Sequence, residues 1–167
     1  MTPPFAITSL PAALDRAGFR CGVEPLDRYF HRQVSQEVRR RLATAFVATE
    51  VASGRVGGFY TLAATGIPMV DLPGETAAKL PRYPTVPAAL VGRLAVDAAF
   101  HGRGLGGALL ADALTRTLAA GIGVHALLVE AKDDGAADSY RHHGFLPFAG
   151  QPRRLFLPLA TARAALG

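Results

Sequence analysis

The chain has 167 residues, 50% of them hydrophobic, with 18 Lys and Arg against 13 Asp and Glu for a net charge of +5. That is enough to close one sizeable core and too little for two ordinary domains, so a single domain over 1–167 is expected. One cysteine, Cys21, excludes an internal disulfide; the start lacks a secretory pattern, and no apolar run reaches the roughly 18–20 residues of a membrane span. A cytoplasmic protein with no membrane partner is expected. The arginine-rich positive excess suits a polyanionic partner, because the planar guanidinium donates two parallel hydrogen bonds to a phosphate.

Residues 5–10 read as a first strand. Pro25 sits where a helix begins, and Leu26, Phe30, Val34, Val38 and Leu42 recur every four residues. This predicts an amphipathic helix of about four turns. Its other face carries Arg28, Arg32, Arg39 and Arg40, with Arg41 at its end. Residues 45–51 and 55–65, separated by Ala52, Ser53 and Gly54, predict an antiparallel hairpin. Prolines at 68, 73, 81, 84 and 87 mark 66–87 as a loop with at most a short helix near 75–80. Residues 88–97 form a buried-type strand, 105–120 a helix turning Leu105, Leu109, Leu114 and Leu118 inward, and 124–131 another apolar strand. Asp133 or Asp134 caps a helix that stops before Gly144, and 145–148 and 155–159 supply the last strands. The order predicts an α/β domain with a mixed sheet.

Between the strand at 88–97 and the following helix lies His101-Gly102-Arg103-Gly104-Leu105-Gly106, continued by Gly107. Strand, glycine loop and helix start together build a phosphate cradle from backbone alone. Each glycine forgoes about 0.5–1 kcal/mol of backbone entropy, a cost that points to a special conformation or a close approach rather than a ligand-free turn. A Walker loop is excluded, since Ala108 and Leu109 stand where Lys and Ser or Thr belong. The dinucleotide fingerprint does fit Gly102, Gly104 and Gly107, with Glu130 ending the next strand where a ribose-binding acid belongs. Against it, a helix and hairpin precede the loop, whereas a doubly wound fold opens with that unit. A dinucleotide-binding module or oxidoreductase is therefore the rival class.

Leu94-Ala95-Val96-Asp97 before the loop, with Ala136, Tyr140, Gly144 and Phe145 downstream, resembles the GNAT acyl-coenzyme A N-acyltransferases. Phe19-Arg20-Cys21-Gly22 with Leu26-Asp27, Gly58-Phe59-Tyr60-Thr61-Leu62, and Gly92-Arg93-Leu94-Ala95-Val96-Asp97 resemble more narrowly the TacT/AtaT-type toxins. Those acetylate the α-amine of aminoacyl-tRNA and pair with ribbon-helix-helix antitoxins. The resemblance spans roughly 18–160. Two positions depart from it: His101 where Gln or Arg is usual, and Ser139 where an aromatic often precedes the tyrosine. Neither removes a backbone donor.

The resemblance implies a GNAT fold, a mixed central sheet of about six to seven strands flanked by helices and splayed at the acyl-CoA site. It implies acetyl-CoA as co-substrate and no metal. The pyrophosphate would lie against the loop of His101, Gly102, Arg103, Gly104, Leu105, Gly106 and Gly107, and the pantetheine arm would pair with Leu94, Ala95 and Val96 like an added strand. Tyr140 is the implied acid, its phenol of pKa about 10 returning a proton to a thiolate whose thiol has pKa about 8.5. An α-amine of pKa about 7.7–8.0 sheds its proton far more readily than a lysine at about 10.4, so it makes few demands on a base. Glu130, Asp97 and Asp133 stay open as bases through water, each also readable as a cap or a solvated acid.

Arg39, Arg40, Arg41 and Arg93 are the expected substrate contacts, with Lys79, Arg82, Arg153 and Arg154 extending a positive track for tRNA. The same arginines read as the solvated face of an amphipathic helix. His31, His125, His142 and His143 lack metal-ligand spacing, and Cys21 reads as a small buried apolar residue. The expected function is N-acetyl transfer from acetyl-CoA to a primary amine, foremost the α-amine of aminoacyl-tRNA, as the toxin of a type II toxin–antitoxin pair. A small-molecule amine, an antibiotic or a protein N-terminus is the alternative acceptor. A homodimer and a ribbon-helix-helix antitoxin are the expected partners.

Overall fold

A computed structural model describes residues 4–166, with side chains in its last helix described through 162. Residues 1–3 and 167 of the expected 1–167 domain lie outside the described residues. The elements are β1 (Phe5–Ser9), α1 (Glu24–Arg28), a π-helical turn (Tyr29–Gln33), α2 (Val34–Arg39), β2 (Thr44–Glu50), β3 (Val56–Pro68), α3 (Gly74–Ala77) and β4 (Thr85–Val96). There follow α4 (Leu105–Leu118), β5 (Ala126–Glu130), α5 (Asp134–His142), β6 (Leu146–Phe148), β7 (Gln151–Pro158) and α6 (Leu159–Leu166). The seven strands form one mixed sheet in the order β1-β2-β3-β4-β5-β7-β6. Among the described pairings β4 with β5 is parallel, from Ala88↔Ala126 to Val91↔Val129, and β4 then continues to Val96. The chain divides into two compact units, one comprising the chain up to Ala63 with Gly92–Ala113, the other Ala64–Val91 with the chain from Leu114.

In the first unit the predicted four-turn helix is broken in a way its own spacing explains. Apolar residues every four positions drift by about 40° per step on a helix of 3.6 residues per turn. The π turn at Tyr29–Gln33 holds more residues per turn and absorbs that drift, so that Tyr29, Phe30 and Val34 are all buried. Phe30 stacks on Phe59 of β3 at 4.4 Å between ring centroids, and Phe19 closes the cluster edge-on at 5.5 Å. The stripe does not extend to Leu42: α2 stops at Arg39, Arg41 turns left-handed (φ 60), and Leu42 is 62% exposed.

The hairpin of β2 and β3 pairs antiparallel as predicted. On β3 a Cβ added to Gly58 would meet the Ala95 carbonyl oxygen and Leu109 Cδ1, both at 2.9 Å, so glycine is what lets β4 and α4 pack this closely on the strand. Gly58→Ala is expected to lower stability by about 1–3 kcal/mol, because a backbone oxygen cannot step aside. A reduced urea midpoint with unchanged m-value is the expected reading. Gly57→Ala, which would meet only the ends of the Phe5 and Leu105 side chains, should cost less.

In the second unit the core is built from Ile67, Leu72, Val86, Leu128, Phe148 and Phe156. The predicted 66–87 loop is shorter than expected, since β3 runs to Pro68 and β4 starts at Thr85. Pro87 is tolerated because it lies one residue before the β5 ladder and offers only its carbonyl, to the His125 N–H at 2.9 Å. The last predicted strand ends at Pro158, and Leu159 instead begins α6. Helix α4 ends at Leu118, and its buried stripe runs through Leu105, Leu109, Leu110, Ala113 and Thr117. Leu114 and Leu118, predicted inward, are only half-buried.

Candidate active site

The glycine loop is held by groups on either side of it. Where β4 ends, the buried Asp97 carboxylate accepts the N–H groups of Ala99 and Arg20, each at 2.9 Å, while its own N–H donates to the Gly57 carbonyl at 2.8 Å. Asp97 thereby braces a 3-10 turn over Ala98–Phe100, with the Arg55 guanidinium 4.0 Å from its Oδ1. After the turn His101 reaches back, its Nε2–H donating to the Val96 carbonyl at 2.7 Å. A carbonyl only accepts, so that ring nitrogen carries the proton. The histidine that departs from the usual Gln or Arg thus acts as a clip between the loop and the end of β4.

Gly102 (φ 76) and Gly104 (φ 77) adopt the left-handed conformation that side chains disfavour, and nothing lies within 4 Å of where their Cβ atoms would stand. The Gly104 carbonyl accepts the Ala108 N–H at 3.1 Å, so the amides of Leu105, Gly106 and Gly107 precede the first helical bond of α4. These three consecutive donors begin a helix whose start carries about half a positive charge, the arrangement an anion requires. Arg103 brings its amide to this loop, whereas its guanidinium lies over Phe5 and Phe100 (5.4 and 5.3 Å) and 3.6 Å from Glu50. Leu94 and Val96 are half-buried and Ala95 is buried on β4, and Arg93 just before them places its guanidinium 3.8 Å above the Tyr29 ring. The loop, residues 94–96 and Arg93 all belong to the first unit.

Tyr140 belongs to the second unit, on α5. Asp133 starts that helix by accepting the Ala136 N–H at 2.8 Å, and Gly144 (φ 94) ends it, letting the Phe145 N–H reach the Tyr140 carbonyl at 3.1 Å. The Tyr140 ring lies 5.6 Å from Phe145. Burial raises the phenol pKa above its ordinary 10.0, so the side chain holds its proton at neutral pH. No hydrogen-bond partner for the hydroxyl occurs among the described residues.

The three carboxylates open as bases separate here. Asp97 and Asp133 are engaged by backbone amides, and Glu130 stands exposed at the end of β5. The expected arginine track also divides. Arg39, Arg40 and Arg41 are exposed and carry no ion pair among the described residues, and Lys79 and Arg82 are exposed as well. Arg153 is bound to Asp134 at 3.0 Å, and Arg154 lies 3.7 Å from Asp71 and 5.0 Å over Phe148. His31 Nε2 lies 2.9 Å from the Phe19 carbonyl and 3.1 Å from the Arg20 guanidinium, and His143 Nδ1 donates to the Ser139 carbonyl one helical turn back. Burial pushes the Cys21 thiol up to about 11, which keeps it from being a nucleophile near neutral pH. Sequence reasoning missed Tyr29, Glu37 and Thr61 around Arg93; Thr61 sits in a quoted motif, but its contact with β4 is visible only in three dimensions.

Residues 42–147 match the family model described as the acetyltransferase (GNAT) domain. The chain is similar to a tRNA-acetylating toxin of Mycobacterium tuberculosis, 37% identical over 155 residues, covering 92% of this chain and 91% of that protein. Among solved structures it is similar to AtaT complexed with acetyl-methionyl-tRNAfMet, with a TM-score of 0.89 at 29% identity over 98% of this chain and 99% of that one. It is also similar to a mutant of the AtaT toxin bound to the C-terminus of the antitoxin AtaR and acetyl-CoA, with a TM-score of 0.81 at 25% identity over 98% of this chain and 99% of that one.

Proposed function

We propose, since the chain belongs to the GNAT acetyltransferase family, that it moves the acetyl group of acetyl-CoA to the α-amine of aminoacyl-tRNA as the toxin of a toxin–antitoxin pair. The observation that carries the reading is the glycine loop, with two left-handed glycines, open space where their Cβ atoms would stand, and three amides ahead of the first helical bond of α4. These features fit a pyrophosphate: the amides of 102–107 would hold it, and the backbone of Leu94, Ala95 and Val96 would take the pantetheine arm as an added strand. Acetyl-CoA, when bound, supplies an activated thioester. Tyr140 holds a proton at its Oη for the departing sulfur. An α-amine reaches its neutral form close to pH 8, which fits a chain in which the buried Asp97 and the exposed Asp133 are both occupied by backbone amides. Similarity to a tRNA-acetylating toxin and to a tRNA-bound structure supports the acceptor.

Arg39, Arg40 and Arg41, exposed and without an ion pair among the described residues, are proposed as phosphate contacts. The proposed partner is a ribbon-helix-helix antitoxin, supported by the antitoxin-bound neighbour, and the proposed working form is a homodimer. Val70 (88% exposed) and Tyr83 (66%) are apolar side chains available for such contacts. The proposal takes 1–167 as one acetyltransferase domain, β3, β4 and α4 each running through both compact units. A cytoplasmic location is proposed as well, in keeping with a chain whose one cysteine is buried and free; among the described residues no helix is long and apolar enough to cross a membrane.

Labelled acetyl-CoA with total charged tRNA tests the reading: label on the aminoacyl group is expected, and its absence would overturn the acceptor. Gly104→Ala is expected to weaken acetyl-CoA binding about tenfold or more in calorimetry, through strain of about 1–2 kcal/mol at φ 77 and a methyl group in the anion's path. Unchanged affinity would remove the loop from the cofactor site.

A further inference from the structure

Arg93 is a half-buried cation to which no carboxylate is assigned. Arg28, Arg55, Arg103, Arg141, Arg153 and Arg154 each have an acid within 4.0 Å, whereas Arg93 has no ion pair among the described residues. Its surroundings are built for it all the same. The guanidinium lies 3.8 Å above the ring of Tyr29, a fully packed side chain whose hydroxyl donates to Glu37 Oε2 at 2.5 Å. The Arg93 backbone N–H donates to the buried Thr61 Oγ1 at 3.1 Å, and Gly92 leaves room for that hydroxyl, 3.2 Å from where a Cβ would stand. An arginine pinned by its backbone, laid on an aromatic face and touching the Tyr29 hydroxyl keeps most of its five guanidinium donors with no carboxylate on them among the described residues.

Its place on β4 says what those donors meet. The glycine loop follows the far end of the strand, after Val96, and an arm running from the loop along Val96, Ala95 and Leu94 brings its thioester end to Arg93. We infer that Arg93 is the specificity-determining contact for the phosphate closest to the acceptor amine, with Tyr29 and Glu37 as positioning residues that hold its guanidinium in place. The inference rests on the aminoacyl-tRNA reading above. In such an acceptor the amino acid is esterified to the terminal ribose, and the nearest anion is that nucleotide's own 5′-phosphate. An arginine at the thioester end selects an amine that has a phosphate one ribose away, and gives no advantage to an amine without one.

The experiment compares a panel of 3′-O-aminoacyl adenosines with the same compounds carrying a 5′-phosphate, each offered with acetyl-CoA to the full chain. A charge-assisted, bidentate contact predicts that kcat/KM favours the phosphorylated form by about tenfold or more, the difference lying in KM. Arg93→Ala should collapse the ratio toward one, Arg93→Lys should keep part of it, and Tyr29→Phe and Glu37→Gln should reduce it. Acetyl-CoA affinity, measured separately, reports whether each variant is folded, and Arg93→Lys with Tyr29→Phe carries the test if Arg93→Ala is not. A ratio near one in the wild type, or a tenfold ratio surviving in Arg93→Ala, overturns the inference. So does acetylation of charged tRNA with no transfer to either short acceptor, because the deciding contact then lies farther along the chain. Failure to label charged tRNA itself strikes the broader reading instead.

Discussion

Tyr140→Phe is expected to cut acetyl transfer by about 10² or more while leaving acetyl-CoA affinity near its wild-type value. The substitution removes one oxygen and keeps the ring that packs 5.6 Å from Phe145, so the fold of α5 has no reason to change. If the phenol returns a proton to the leaving thiolate, the loss appears in kcat and kcat/KM alike, as befits an interaction made only in the transition state. Near-normal turnover would remove Tyr140 from the chemistry. The pH dependence adds a second check whose sign follows from burial. Desolvation raises the phenol pKa above 10.0, so the acid form is complete at neutral pH and is lost only as the pH climbs past that raised value. A fall in wild-type kcat below pH 10 therefore belongs to another group, and should persist in Tyr140→Phe.

Asp97→Ala is expected to be the most damaging substitution for stability. Two amide N–H groups, those of Arg20 and Ala99, converge on a carboxylate that is only 4% exposed, and alanine leaves both without an acceptor. Unsatisfied donors of this kind cost about 1–3 kcal/mol each, so a loss of about 3 kcal/mol and a fall in Tm of roughly 6–12 °C are expected for a chain of this size. Acetyl-CoA affinity should fall as well, because Asp97 fixes the turn from which the glycine loop departs. Asp97→Asn separates bracing from catalysis. As a brace it loses part of the stability and keeps measurable turnover; a general base would show the reverse, a native Tm with turnover abolished.

The rival dinucleotide reading and the acetyltransferase reading share the same glycines, and the loop alone does not separate them. What separates them is the family match over 42–147 and a fold in which β1 to β3 precede the loop's own strand. Apolar patterning located the hairpin, β4, α4 and β5, and α5 was readable from residue type alone, from a cap at Asp133 or Asp134 and the stop at Gly144. Boundaries were harder where a residue's usual meaning was overridden. Pro68 and Pro87 signal loop by their missing donors, yet Pro68 is the last residue of β3 and Pro87 lies in β4 one residue before its β5 ladder, where the lost N–H interrupts no β5 pairing. Leu114 and Leu118 are as apolar as Leu109, and only the direction from which the sheet meets α4 decided that Ala113 and Thr117 face inward instead.

By itself the sequence determined an α/β chain with a phosphate-type glycine loop after a buried strand, and a tyrosine placed before a helix stop, because these depend on local backbone preference and short-range spacing. The roles of particular polar side chains were decided only by tertiary structure. Asp97 became a brace and His101 a clip by meeting backbone groups; Arg153 and Arg154 were drawn into ion pairs, and Arg93 was left on Tyr29 with none. A charged side chain reads alike in the sequence whether it is solvated, paired or poised for a substrate. Which of these it becomes depends on partners distant along the chain, as Asp97 and Arg20 are, 77 positions apart.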